Sequence, residues 1–94
     1  MTKIVINARH GGFGLSGEAL VNYKIRKGIT DPDFWELNIS RDDPILVQLV
    51  EEMGKDADSR FSKLKIVDIP DDVDWTIGEY DGLEWVAEAH RTWS

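Results

Sequence analysis

Arg9-His10-Gly11-Gly12-Phe13-Gly14-Leu15-Ser16 puts a fixed cation, a titratable ring, three glycines and a hydroxyl into one short stretch. An apolar run, residues 3–8, precedes it and reads as a strand. Residues 17–27 follow and read as a helix. A glycine-rich turn between strand and helix can hold an anion, because main-chain N–H groups and the helix N-terminus then face the same point. In such a site Arg9 would pair with the ligand's charge, and the Gly12 and Gly14 amides would cradle it. Ser16 would cap the helix and donate, and His10 would contact the ligand. Gly12-Phe13-Gly14-Leu15-Ser16-Gly17 also has the G-x-G-x-x-G spacing of dinucleotide-binding turns, with Asp31, Asp33 and Glu36 near the distance of a ribose-binding acid. Gly12 and Gly17 share the spacing of phosphate-loop glycines, but Glu18-Ala19 stands where Lys and Ser/Thr belong, which excludes nucleotide hydrolysis of that type. The same glycines suit a purely structural role equally well: positive φ in a tight turn, with Phe13 or Leu15 plugged into the core.

The second group with chemical capacity is Glu84, Glu88, His90 and Arg91. On a strand, Glu84, Glu88 and His90 share one face, where two carboxylates and an imidazole could act as acid and base or meet a divalent ion. The plainer alternative is an exposed acidic strand on which His90 and Arg91 satisfy the carboxylates. A two-residue Asp81-Gly82 loop would set Glu79 opposite Glu84, a repulsive pair that Arg9, Arg91 or a cation would have to relieve. Trp75, Trp85 and Trp93 read first as packing groups, with ring stacking on a ligand as the alternative.

The elements that must position these groups are legible in part. Residues 3–8, with β-branched side chains at 4, 5 and 6, suit a strand buried on both faces. Ser16 as N-cap, Glu18 in the first turn, cations at Lys24, Arg26 and Lys27, and Gly28 as C′ frame the first helix. Asp31-Pro32-Asp33 signals a turn, and residues 34–39 alternate loosely enough for a short edge strand. Asp43 and Pro44 open a second helix, whose stripe of Ile45, Leu46, Leu49, Val50 and Met53 ends at Gly54. Residues 55–61 read as a loop and 62–69 as a strand stopped by Pro70. Residues 75–80 and 83–89 form a hairpin about Asp81-Gly82; a terminal helix over 83–93 is the competing assignment. The expected fold is α+β: one domain spanning residues 1–94, in the order β-α-(β)-α-β-β-β, with two helices on one face of a small mixed sheet.

Composition limits the function classes. Apolar residues at 41% and charged residues at 31% describe an ordinary folded domain. The absence of cysteine removes disulfides and thiolate metal sites. No apolar run reaches the roughly 18 residues of a spanning helix, and Met1-Thr2-Lys3 leads straight into the strand, so neither a membrane anchor nor a signal peptide is expected. The net charge of −7 is divided unequally. Residues 1–30 hold five basic groups against one acidic, whereas residues 31–94 hold six against seventeen. Such a surface repels phosphate backbones, so direct nucleic-acid binding is not expected. No cofactor is implied, and oligomeric state is not encoded in any motif.

The GGFGLS turn after Ile-Val-Ile-Asn, Arg41-Asp42-Asp43-Pro44 ahead of the second helix, residues 64–73 (LKIVDIPDDV), and the ending from Glu79-Tyr80-Asp81-Gly82 to His90-Arg91-Thr92-Trp93 together resemble a family of small uncharacterised phage and prophage proteins. The resemblance covers nearly the whole chain. It implies a phage-derived protein acting in the bacterial cytoplasm and brings no activity with it. Three functions follow as expectations. The first is non-enzymatic capture of a small anionic, nucleotide-like ligand at the glycine turn, as in sequestering a host signalling molecule. The second is an acidic inhibitor of a host nucleic-acid-binding or defence protein. The third is a small Glu/His enzyme.

Overall fold

The computed structural model describes residues 1–31, 33, 34 and 36–88. Four strands and two helices appear in the order β1 (Thr2–Asn7), α1 (Gly17–Lys27), α2 (Pro44–Met53), β2 (Leu64–Ile69), β3 (Trp75–Tyr80) and β4 (Leu83–Glu88). Short 3₁₀ turns lie at Glu36–Asn38 and Gly54–Ala57. The class is α+β, as expected. The strands do not form one mixed sheet, however. β1 pairs antiparallel with β2, and β3 pairs antiparallel with β4, as two separate two-stranded sheets.

The separation has a local cause at the outer edge of β1. There the Val5 N–H donates to the Arg41 carbonyl at 2.8 Å, and the Asn7 N–H donates to Glu84 Oε1 at 2.8 Å. A loop carbonyl and a carboxylate thus occupy the sites where another strand would bond. The expected edge strand at 34–39 is also absent: Glu36–Asn38 is a 3₁₀ turn, and Trp35 lies outside the described residues.

β1 is buried on both faces because the β1–β2 ribbon is the middle of three layers. Val5, Leu64 and Ile66 face the helices, joining Ala19, Tyr23, Leu46 and Leu49 in the larger core cluster. Ile4, Ile6, Val67 and Ile69 face the hairpin, where Trp75, Ile77 and Val86 cover them. Period-two alternation across the pleat therefore feeds two cores from one strand pair.

Helix ends follow the sequence signals. The Ser16 hydroxyl accepts from the Ala19 N–H at 3.1 Å, and Gly28 closes α1 at φ 70°. Asp43 accepts from the Ile45 N–H at 2.8 Å, with Pro44 in the first turn. The Tyr23 hydroxyl donates to the other Asp43 oxygen at 2.6 Å, which ties the two helices together. Burial, then that hydrogen bond, pushes the Tyr23 phenol well above its ordinary value. Burial alone would raise the Asp43 carboxyl, but bonds from Tyr23, the Ile45 amide and Lys27 outweigh it and hold the carboxyl below the usual range. Among the described residues no helix is long and apolar enough to cross a membrane.

Candidate functional site

The glycine turn and the hairpin tip are pressed together. Asp81 at φ 52° and Gly82 at φ 89° form the tight two-residue loop that joins β3 to β4, in the conformation of a type I′ turn. A Cβ on Gly82 would overlap the amide nitrogens of Gly11 and Gly12. A Cβ on Gly11, at φ 131°, would overlap the Phe61 carbonyl. Gly11 and Gly82 therefore allow main chain to lie against main chain. The Gly11 N–H donates to the Asp81 carbonyl at 3.4 Å, and His10 Nδ1 lies 3.3 Å from that same oxygen.

Asn7 fastens the contact from inside. Its side chain is fully buried and fully bonded: Nδ2 donates to the carbonyls of Arg9 (2.6 Å) and Gly82 (2.7 Å), and Oδ1 accepts from the Lys63 N–H (2.8 Å). One amide thus joins the end of β1, the glycine turn, the hairpin tip and the entry to β2.

Glu84 is the second fastening. Its carboxylate, 7% exposed, accepts both Arg41 guanidinium nitrogens, the Nη2–Oε2 distance being 2.8 Å. The guanidinium stacks on the Phe13 ring, 3.7 Å from its centroid. The expected Glu79–Glu84 opposition is present in the register. Its relief differs from expectation: Arg41 neutralises Glu84, and Glu79 turns to accept the Gly82 N–H. Arg41 and Asn7 carry this arrangement, and sequence reasoning gave neither a role. The available signal was an asparagine ending an otherwise apolar strand.

The five residues expected at the turn separate into two groups. Ser16 is committed to structure: its N–H donates to the Ala57 carbonyl at 2.9 Å, its hydroxyl donates to the Asp56 carbonyl at 2.7 Å, and the same hydroxyl caps α1. The neighbouring Leu15 N–H donates at 2.9 Å to Glu36 Oε2, so an internal carboxylate already meets one amide of the turn. Glu36, placed by its spacing as a ribose-binding acid, serves the turn itself. In contrast, the N–H groups of Gly12, Phe13 and Gly14 have no acceptor among the described residues. Arg9 and His10 are exposed.

An open cleft of about 510 Å³ lies beside the tip, lined by His10, Gly11, Gly12, Glu79, Asp81 and Gly82. Tyr80, 71% exposed, meets the His10 ring edge-on at 6.5 Å. Of the second group, Glu84 is the buried ion-pair member just described and Glu88 is half-buried at the end of β4. His90, Arg91 and Trp93 lie outside the described residues, as does any helix beyond residue 88. Residues 83–88 are strand. Among the described residues no three His, Cys, Asp or Glu side chains converge as metal ligands.

Comparison of the chain with protein-family models, with curated proteins and with solved structures gives no match.

Proposed function

We propose that this chain is a non-enzymatic binding protein that engages a basic surface of a partner protein through the hairpin tip and glycine turn. The lining of the tip cleft carries the reading. It presents Glu79 and Asp81, includes no Lys or Arg among the described residues, and is bordered by the exposed Tyr80 ring. Carboxylates beside an aromatic ring suit arginine and lysine side chains, which pair with the one and stack on the other. The resemblance to small phage proteins would make the partner a host protein and the setting the bacterial cytoplasm.

A second reading keeps the small anionic, nucleotide-like ligand. The unclaimed Gly12, Phe13 and Gly14 amides favour it, with Arg9 exposed nearby. Glu79 and Asp81 oppose it by like charge. The enzyme reading has the least support, because the Arg41 pairing removes Glu84 from solvent.

One NMR experiment separates the two binding modes. Amide shifts are followed while a hexa-arginine peptide and, separately, adenosine triphosphate are added. The proposal expects the peptide to move His10, Gly11, Asp81 and Gly82, and the nucleotide to move nothing at millimolar concentration. Nucleotide-induced shifts at Gly12 to Gly14 without a peptide response would establish the second reading instead.

A further inference from the structure

The tip does not exhaust the hairpin's binding capacity, because β3 has an open side. We infer that the outer edge of β3 accepts an extended, arginine-bearing segment of the partner as an added antiparallel strand. This inference rests on the proposed basic partner and specifies how that partner is held.

The edge follows from the register. A two-residue loop makes Tyr80–Leu83 the first hydrogen-bonded pair, so Thr76, Gly78 and Tyr80 bond to β4. The main-chain groups of Trp75, Ile77 and Glu79 then point the other way. Among the described residues no main-chain bond joins β3 to any element except β4. On the neighbouring ribbon the edges beside the site are filled, β1 by the Arg41 carbonyl and Glu84 and the start of β2 by Asp58, which accepts the Leu64 N–H at 2.8 Å. An uncovered edge is a ready template for another chain.

Charge identifies the occupant. Residues 66–88 contain eight acidic side chains and no Lys, Arg or His, and Asp68, Asp71 and Glu84 among them already pair with Lys3, the N-terminus and Arg41. Asp72 is exposed before β3, and Glu79 and Asp81 are exposed at its far end. Exposed carboxylates thus flank this edge at Asp72, Glu79 and Asp81, which favours a strand bearing positive charge over a second copy of the same acidic segment. The outer face of the hairpin supplies the stacking surface. Trp85 lies across Gly78 so closely that a Cβ there would overlap the indole, and it remains 46% exposed. Tyr80 stands two residues along on the same face. Alternate side chains of an added strand project toward that face, where guanidinium groups can stack on the two rings.

The test uses an eight-residue peptide of alternating arginine and valine, and the same peptide N-methylated at alternate residues. Methylation keeps the charge and removes the donors that pair with a sheet edge. Binding is measured by NMR, with amide hydrogen exchange of the intact protein as the structural readout. The unmodified peptide is expected to slow exchange at Ile77 and Glu79 by about tenfold or more, and the methylated peptide to bind at least about tenfold more weakly. Equal binding of the two peptides would overturn strand addition while leaving the basic partner standing. Absence of binding by either peptide, together with silent hexa-arginine, would remove both. Protection of Ile77 and Glu79 that grows with protein concentration and needs no peptide would assign the edge to a second copy and overturn the inference.

Discussion

Arg41 and Glu84, 43 residues apart, form a bidentate ion pair whose guanidinium lies flat on Phe13. The pair joins the loop before α2 to the second residue of β4 and so docks the C-terminal hairpin on the β1 edge. Its carboxylate is almost fully buried, so the two partners are not equivalent to a surface bridge. Removing one leaves the other charged and desolvated.

Arg41→Ala is therefore expected to destabilise the fold by about 3–5 kcal/mol, measured by urea denaturation. A domain of this size has a total stability on the order of 5–14 kcal/mol, so the variant is marginal. Replacing both partners by apolar residues, Arg41→Met with Glu84→Leu, is expected to restore only part of that loss, because the buried Asn7 N–H then loses its Glu84 acceptor. A cost below about 1 kcal/mol for Arg41→Ala would show that the pair does not hold the hairpin.

The contact between the two turns makes a contrast between adjacent residues. Gly82→Ala places a Cβ against the Gly11 and Gly12 amides and forces positive φ on alanine, at a cost of about 2–4 kcal/mol. Asp81→Asn preserves the favoured turn chemistry and is expected to change stability by less than about 0.5 kcal/mol. Thermal unfolding of both variants checks this. Equal effects would mean that the close approach at Gly82 is unimportant.

Acid sensitivity is expected to originate partly at Asp43. Its folded-state carboxyl lies below the ordinary value, so its stabilising contribution is complete above the unfolded pKa and fades as pH falls through the folded one. Tyr23→Phe removes a hydrogen bond that lowers it. The variant should lose about 1 kcal/mol near neutrality, and less as pH falls below the ordinary carboxylate range, where protonation weakens the Asp43 interactions in both proteins. Urea midpoints across that range measure it, and a pH-independent difference would assign the effect to packing alone.

The parts of this fold visible in the sequence are those set by neighbours in the chain. Ser16, Gly28, Asp43 and Pro44 mark helix ends because a cap acts on residues within a few positions. Asp81-Gly82 marks the hairpin for the same reason. The division into two sheets was not visible, because it depends on the Arg41 carbonyl and the Glu84 carboxylate reaching β1 from distant positions. Residues 34–39 alternate like a strand, yet Glu36 is drawn into a 3₁₀ turn that delivers its carboxylate to the Leu15 amide. The glycine turn was found by its spacing, but the docking of Gly82 against it could not be read from local pattern.

The most direct measurement is the affinity of hexa-arginine for Glu79→Gln/Asp81→Asn, compared with Glu18→Gln/Glu51→Gln, which removes equal charge elsewhere on the exposed surface. Both turn substitutions keep an acceptor at their positions, so the hairpin is expected to fold. The account predicts that the tip variant binds at least about tenfold more weakly than the control at equal ionic strength. Equal affinities would contradict it, because attraction would then reflect net charge rather than a site at the hairpin tip.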